Sequence, residues 1–350
     1  MIYSQDRLRT FTQHVFIKCG MPSSDAILAA DVLLSADLRG IDSHGVARLS
    51  GYVRLQKAGR ANMHAKHKVI HETPSTATID ADRGLGLVVA PKAMDLAIEK
   101  ANNVGTGWVA IQNSNHFGIA GYHAMKALPH NMIGISMTNA SPLVAPTFAK
   151  ERMLGTNPIC IAFPAGNQIP FVVDMATSNA ANGKLEIAQR LNKEIPLGWV
   201  QTKEGGDSVD ANELKSGGAL LPLGGHKGYG LGAAVDILSA VLSGANYGPW
   251  VPPFVAFLNP LENLPGNGIG HFLGAMRIDA FRPADDFKKH MDQWIERFKS
   301  SQRVDQQQEV LIPGEPEYRM QKIREKEGIP LNENVEKDLQ ELAQKLGLTL

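Results

Sequence analysis

The sequence predicts an α/β fold, α+β in its overall arrangement, with helical ends flanking a strand-rich middle. From about Pro74 onward, short β-prone runs alternate with helical ones, and both termini carry apolar residues at helical spacing. Apolar residues make up 43% and charged residues 20% of the 350 positions. That is ordinary globular usage, and it excludes a disordered, collagenous or coiled-coil chain.

The elements follow in order. Leu8, Phe11, Val15 and Cys19 share one helical face behind a Ser4 cap and ahead of Gly20. A second helix fits Ser23 to Arg39 and closes at Gly40. A third is expected from Asp42 or Ser43 to just before Gly59. STATID, GWVAIQN, IGISMTN, ICIAF and FVVDMA read as strands, and helices fill Val88 to Ala101 and Ile119 to Leu128. Residues 203–218 are polar and turn-rich and read as a surface loop. An apolar helix fits Leu231 to Leu242. In the tail, Phe287, Met291, Trp294, Ile295 and Phe298 make one stripe, and Val335, Leu339, Leu342 and Leu346 another. The expected organisation is a discontinuous helical unit, 1–72 plus 280–350, around an α/β unit, 73–279.

Thirty-five basic residues balance 35 acidic ones, so no bulk field draws in nucleic acid or an anionic membrane, and small molecules are the expected partners. Two cysteines, Cys19 and Cys160, suit a reducing compartment. The start, MIYSQDRLRT, has charges where a signal peptide needs an apolar core, and Asp236 interrupts the longest apolar run. A cytoplasmic location is expected.

Four segments carry candidate chemistry. If Ser43 opens a helix, His44, Arg48 and Tyr52 recur every four residues on one face, aligning an acid/base, a carboxylate fork and a hydroxyl. The alternative is a solvated surface helix. Asn113-Ser-Asn-His116-Phe-Gly follows an apolar strand, where α/β proteins place ligand contacts, or where Asn and Ser simply tie down a turn. Gly155-Thr-Asn-Pro158 and Asp174-Met-Ala-Thr-Ser178 put small polar residues beside strands. Gly224-Gly-His-Lys-Gly-Tyr-Gly230 opens a helix whose N-terminus favours an anion, with Lys227 adding charge. By contrast, Gly84-Leu-Gly-Leu-Val-Val-Ala90 has the wrong spacing for a dinucleotide fingerprint, and the next strand lacks a ribose-binding acid. It reads as a tight turn. A zinc-dependent hydrolase built on His44, His116 and His226 is the rival from another class.

In this order, DSHGVAR, NSNHFG, GTNP, DMATS and GHKGYGL resemble the type-2 malate/L-lactate dehydrogenase-like family of NAD(P)-dependent oxidoreductases, over about residues 4–330. The family also holds sulfolactate and ureidoglycolate dehydrogenases, diketogulonate reductase and a cyclic-imine reductase. The resemblance implies a non-Rossmann cofactor domain with a mainly antiparallel sheet flanked by helices, NAD as cofactor with NADP as the alternative, and a homodimer. It implies hydride transfer to and from a small 2-hydroxy acid, malate or L-lactate favoured. His44 is then the catalytic acid/base with Ser43 beside it, Arg48 holds the substrate carboxylate, and Tyr52 and His116 stand near the substrate. Thr156, Asp174, Met175, Ala176, His226, Lys227 and the turn Pro313-Gly314-Glu315 match the family's cofactor contacts, His116 among them. A 2′-phosphate would want a cation such as Lys184 or Arg190. The segments GPWVPPF and NLPGNGIGHF depart from the family pattern and leave the substrate side chain open.

Overall fold

The computed structural model describes residues 1–256, 258 and 261–350. Strand β1 (Ile2–Tyr3) leads into α1 (Gln5–Lys18) and α2 (Ser23–Leu38). The Ser4 hydroxyl accepts from the Arg7 amide at 3.3 Å, as a capping serine should, and Leu8, Phe11 and Val15 are buried.

The expected continuous third helix does not form. Two 3-10 turns, Asp42–His44 and Val46–Arg48, precede α3 (Leu49–Lys57). The break falls at Gly45, whose φ of -89° and ψ of -144° leave the helical region, and only glycine fits there, since a Cβ would lie 2.0 Å from Asp37 Oδ1. The backbone meets a buried carboxylate at that point.

Next come β2 (Lys68–Glu72), β3 (Thr76–Asp80), α4 (Gly86–Val104), β4 (Thr106–Ser114), α5 (Ala120–Met125), β5 (Met132–Thr138), β6 (Ile159–Phe163) and β7 (Phe171–Met175). After α6 (Asn182–Arg190), three two-residue strands form a small sheet: β8 (Val200–Gln201), β9 (Asp207–Ser208) and β10 (Ala219–Leu220). Thus β9 lies inside the stretch expected to be loop. Helix α7 (His226–Asp236) starts earlier than expected and continues as a π-segment, Ile237–Val241. The chain ends with β11 (Ile269–Arg277), α8 (Ala284–Lys299), α9 (Glu315–Glu327), β12 (Ile329–Pro330) and α10 (Glu333–Leu346).

Among the described residues, seven strands form the main sheet in the order β2-β3-β4-β11-β5-β6-β7. Only β3 and β4 run parallel within it, joined over the sheet by α4, so the sheet is mainly antiparallel and flanked by helices. Gly84 and Gly86 open α4 against the loop after β4, where a Cβ on Gly86 would lie 2.5 Å from Phe117 Cβ. Close packing accounts for these glycines.

Strands β2 and β11 escape the sequence reading. All five residues of β2 are exposed, so no alternation marks it. In β11, Gly270 and Gly274 dilute the apolar pattern, yet each is required: a Cβ would lie 2.1 Å from Ser239 O at the first and 2.3 Å from the Trp108 ring at the second.

One core joins α1, α2 and α3 to Leu339, Leu342 and Ala343 of α10. The stripe on α8 packs elsewhere, with Trp294 edge-on to Phe171 of β7 at 5.6 Å. A second core fills the space between α4, α5 and the sheet. Among the described residues no helix is long and apolar enough to cross a membrane.

Candidate active site

The catalytic candidates from two distant segments meet where the turns before α3 face the loop between β4 and α5. Ser43 is their common post: its hydroxyl lies 2.9 Å from His44 Nδ1, and its carbonyl accepts Arg48 Nε at 2.6 Å. His44 and His116 rings stack at 5.8 Å. Tyr52, fully buried, sets its hydroxyl 2.6 Å from His116 Nδ1, and the Gly118 amide approaches the same nitrogen at 3.3 Å. A backbone N–H can only donate, so neutral His116 carries its proton on Nε2. Ser43 Oγ can donate or accept, so either tautomer suits His44.

The site holds its imidazoles neutral. Desolvation, and secondarily the Arg48 charge, lower the His44 pKa to about 4. His116 falls well below the ordinary value through burial and the neighbouring His44, Arg48, His271 and His123. Burial raises the Tyr52 phenol, which stays protonated.

The loop reading and the functional reading of NSNHFG each apply to different residues. Asn113 donates to Asp80 at 2.9 Å and Asn115 to Arg83 O at 2.8 Å, fixing the loop, while His116 faces the site. Beneath it, Phe117 lies between His271 at 4.9 Å and His123 at 4.7 Å.

Phe254 closes the GPWVPPF segment, where the sequence leaves the substrate side chain open without singling out this ring. Its ring stands edge-on to Tyr52 at 5.1 Å, 5.0 Å from His116, with the Arg48 guanidinium 6.0 Å over it. Arg60 donates to the carbonyls of Pro253, Val255 and Leu258 and so fixes this segment. Gly51, one residue before Tyr52, makes room for it, since a Cβ there would lie 2.7 Å from the Phe254 ring.

The cofactor candidates gather around the ends of β6 and β7. Thr156 O accepts from the Thr177 amide at 2.9 Å, and Thr177 O accepts from the Leu223 amide at 2.9 Å, tying GTNP and DMATS to the start of α7. Asn157 is a structural pin, bonded to the Ala140 amide and Gly232 O. His226 and Lys227 are exposed at the α7 N-terminus, behind Gly225 at φ +69°. Asp174 accepts the Gly121 amide at 2.7 Å. Desolvation raises its pKa to about 6, opposed by that amide and Arg39. Beside it, Met175 pairs with Ile159, and Ala176 follows half-buried.

A cavity of about 280 Å³ opens between Arg39, Ile41, Val172–Asp174 and Pro313–Gly314. Gly314 turns there at φ +89°, with a Cβ position 2.9 Å from Val172. Glu315 is not a free contact: its carboxylate accepts from Lys299, Arg319 and the Ile312 amide, and it holds the turn. Lys184 places its ammonium 5.6 Å over the Trp199 ring, and the Arg190 side chain lies outside the described residues.

Comparison with known proteins is consistent throughout the chain. Residues 3–340 match the model of the malate/L-lactate dehydrogenase family. A malate dehydrogenase of Pyrococcus horikoshii is 46% identical over 98% of this chain and 95% of its own length. An L-sulfolactate dehydrogenase of Methanocaldococcus jannaschii is 41% identical over 100% of this chain and 98% of its own. A solved sulfolactate dehydrogenase structure from M. jannaschii superposes with a TM-score of 0.92 at 41% identity, covering 100% of this chain and 98% of that one. These matches overturn the zinc-hydrolase alternative, and no three His, Cys, Asp or Glu groups among the described residues are placed to hold a metal. The chain belongs to the malate/L-lactate dehydrogenase family, and is a 2-hydroxy acid dehydrogenase that works with a nicotinamide cofactor.

Proposed function

We propose that the enzyme interconverts malate and oxaloacetate, with L-lactate as the second candidate, using NAD. One observation carries the chemistry: Ser43 holds Arg48 Nε through its carbonyl and His44 Nδ1 through its hydroxyl. A carboxylate clamp and a proton acceptor then stand on one support, as oxidation at the carbon beside a carboxylate requires. Arg48 positions the 2-carboxylate through its remaining guanidinium N–H groups. His44, neutral near pH 7, takes the C2 hydroxyl proton at Nε2 while Nδ1–H donates to Ser43 Oγ. His116 cannot accept at Nδ1, which Tyr52 and Gly118 occupy, so its Nε2–H donates toward the substrate oxygen. Phe254 walls the site beside Arg48 and favours a short substrate side chain.

The nicotinamide, when bound, supplies the hydride acceptor. The cradle that fits such a cofactor is the open α7 N-terminus, where an added Cβ at Gly224 or Gly225 meets nothing within 4 Å, together with the cavity at Asp174 and Gly314. Thr156, Asp174–Ala176, His226, Lys227 and the Pro313–Gly314 turn, held in shape by Glu315, would hold it, with a pyrophosphate suited to the helix end. Engagement of Lys184 with Trp199 favours NAD over NADP. The 46% identity to a malate dehydrogenase supports malate, and the sulfolactate relative makes sulfolactate the competitor.

Exposed Ile237, Val241 and Leu242 on the continuation of α7 support a homodimer, and the paucity of cysteine supports a cytoplasmic setting. The deciding experiment follows nicotinamide absorbance with NADH or NADPH against oxaloacetate, pyruvate and sulfopyruvate. Highest kcat/KM for oxaloacetate with NADH is expected. Preference for sulfopyruvate or NADPH would overturn the corresponding choice.

A further inference from the structure

The Ser43–Arg48 segment has no continuous helix to set its shape. His44 N–H bonds to Ile41 O and Arg48 N–H to Gly45 O, both at 2.9 Å, so each 3-10 turn is closed locally. What sets the angle between them is the Gly45–Val46 junction. There, Asp37 of α2, only 1% exposed, accepts the Val46 amide at 2.8 Å through Oδ2, while Oδ1 fills the space where Gly45 would carry a Cβ.

From the opposite side Arg324 of α9 donates to the main-chain oxygen of Asp37 and to the Asp42 carboxylate. A cavity of about 270 Å³ lies between Asp37, Asp42, Ala47, Leu331 and Val335. The carboxyl is thus enclosed by the turn, α9 and the segment before α10. The charged groups facing it are Asp42 and Arg324.

We infer that Asp37 is a positioning residue of the hydride-transfer site, gripping the Val46 amide so that His44 and Arg48 address the same substrate molecule. The inference rests on the roles given to those two residues above. Without the grip, Val46 N–H is left unpaired in a buried place and the two turns can pivot about Gly45. His44 and Arg48 then lose their common target although neither has been changed. Burial and then Asp42 push the Asp37 carboxyl up to about 8, against the Val46 amide and Arg324. Either protonation state leaves an oxygen that accepts from Val46 N–H, so the grip is set by geometry.

The test uses the full chain with L-malate and NAD, or L-lactate if the substrate panel favours it. Asp37→Asn, Asp37→Ala, His44→Ala and Arg48→Ala are compared at neutral pH. Asp37→Ala should lose about 10²-fold in kcat/KM for the hydroxy acid, through both a higher KM and a lower kcat, while KM for NAD stays within about twofold. Asp37→Asn keeps an acceptor for Val46 and cannot ionise. It should stay within about threefold of the parent at neutral pH.

A folded Asp37→Ala enzyme with unchanged kcat and KM overturns the inference, as does an Asp37→Asn enzyme that loses more than about tenfold in kcat/KM. Should Asp37→Ala not fold, the Asn variant decides alone. Full activity in His44→Ala and Arg48→Ala would overturn the roles of those residues, and the inference with them. Crippled His44 and Arg48 variants beside an intact Asp37→Ala enzyme would overturn the role of Asp37 alone.

Discussion

The Tyr52 hydroxyl sits 2.6 Å from Nδ1 of His116, joining a fully buried side chain of α3 to a loop 64 residues further along the chain. The phenol donates and the imidazole accepts. Tyr52→Phe removes that donor and leaves His116 Nδ1 with the longer Gly118 contact. Stability should fall by about 1 kcal/mol in urea unfolding, and kcat/KM by about tenfold as His116 gains freedom. Unchanged kinetics in a stably folded variant would show that His116 is oriented by other contacts.

His44→Ala should cost about 10²–10⁴ in kcat, the usual range for a lost proton-transfer group. His116→Ala removes a hydrogen-bond donor and should cost less. Steady-state kinetics of both variants check the order, and a reversed order moves the acid/base role to His116.

The pH dependence of oxidation carries a sign. Neutral His44 is the active form, and its lowered pKa of about 4 puts the acid limb of kcat/KM, which reports the free enzyme, near that pH. Arg48 is a secondary cause of the lowering. A substrate carboxylate on Arg48 offsets that charge, so the limb in kcat, which reports the complex, should lie at higher pH. Arg48→Met should move the kcat/KM limb upward. Coincident limbs in the parent would argue that no anion is bound at Arg48.

His123 and His271 are fully buried, with pKa values lowered to about 4 and 3, chiefly by desolvation. The unfolded chain therefore binds more protons below the ordinary histidine value of 6.5. Stability should be fully present above that pH and drain away as pH falls toward 4 and then 3. Denaturant midpoints measured between pH 7 and 4 check this, and His271→Gln should flatten the dependence. A midpoint constant over that range would mean these rings take up protons in the folded state.

Much of this arrangement is legible in the residues, and the exceptions have physical causes. Ser4, the α1 stripe and the β4 run announce themselves because capping and periodicity are local. The interruption at Gly45 is invisible because it depends on a carboxylate brought there by α2. Ser43, His44, Arg48 and Tyr52 do converge, though by two short turns and not along one helical face. Glu315 shows the reverse case, a motif residue whose charge is already committed to Lys299 and Arg319. Phe254 emerges only from three-dimensional packing, since a Pro-rich stretch gives no pattern by which one aromatic ring could be singled out.

Strand β11 is the last of the seven in the chain but lies between β4 and β5, paired to both along His271–Met276. During synthesis, each of those earlier strands must wait with an open edge while well over a hundred further residues are added. The sheet cannot close before Arg277 emerges, so completion of the molecule is tied to its most distant pairings, a topology associated with slow folding. The nascent chain is then most vulnerable to pairing with other chains in that interval. Demand for chaperones should concentrate there, on strands that belong to the interior of the finished enzyme.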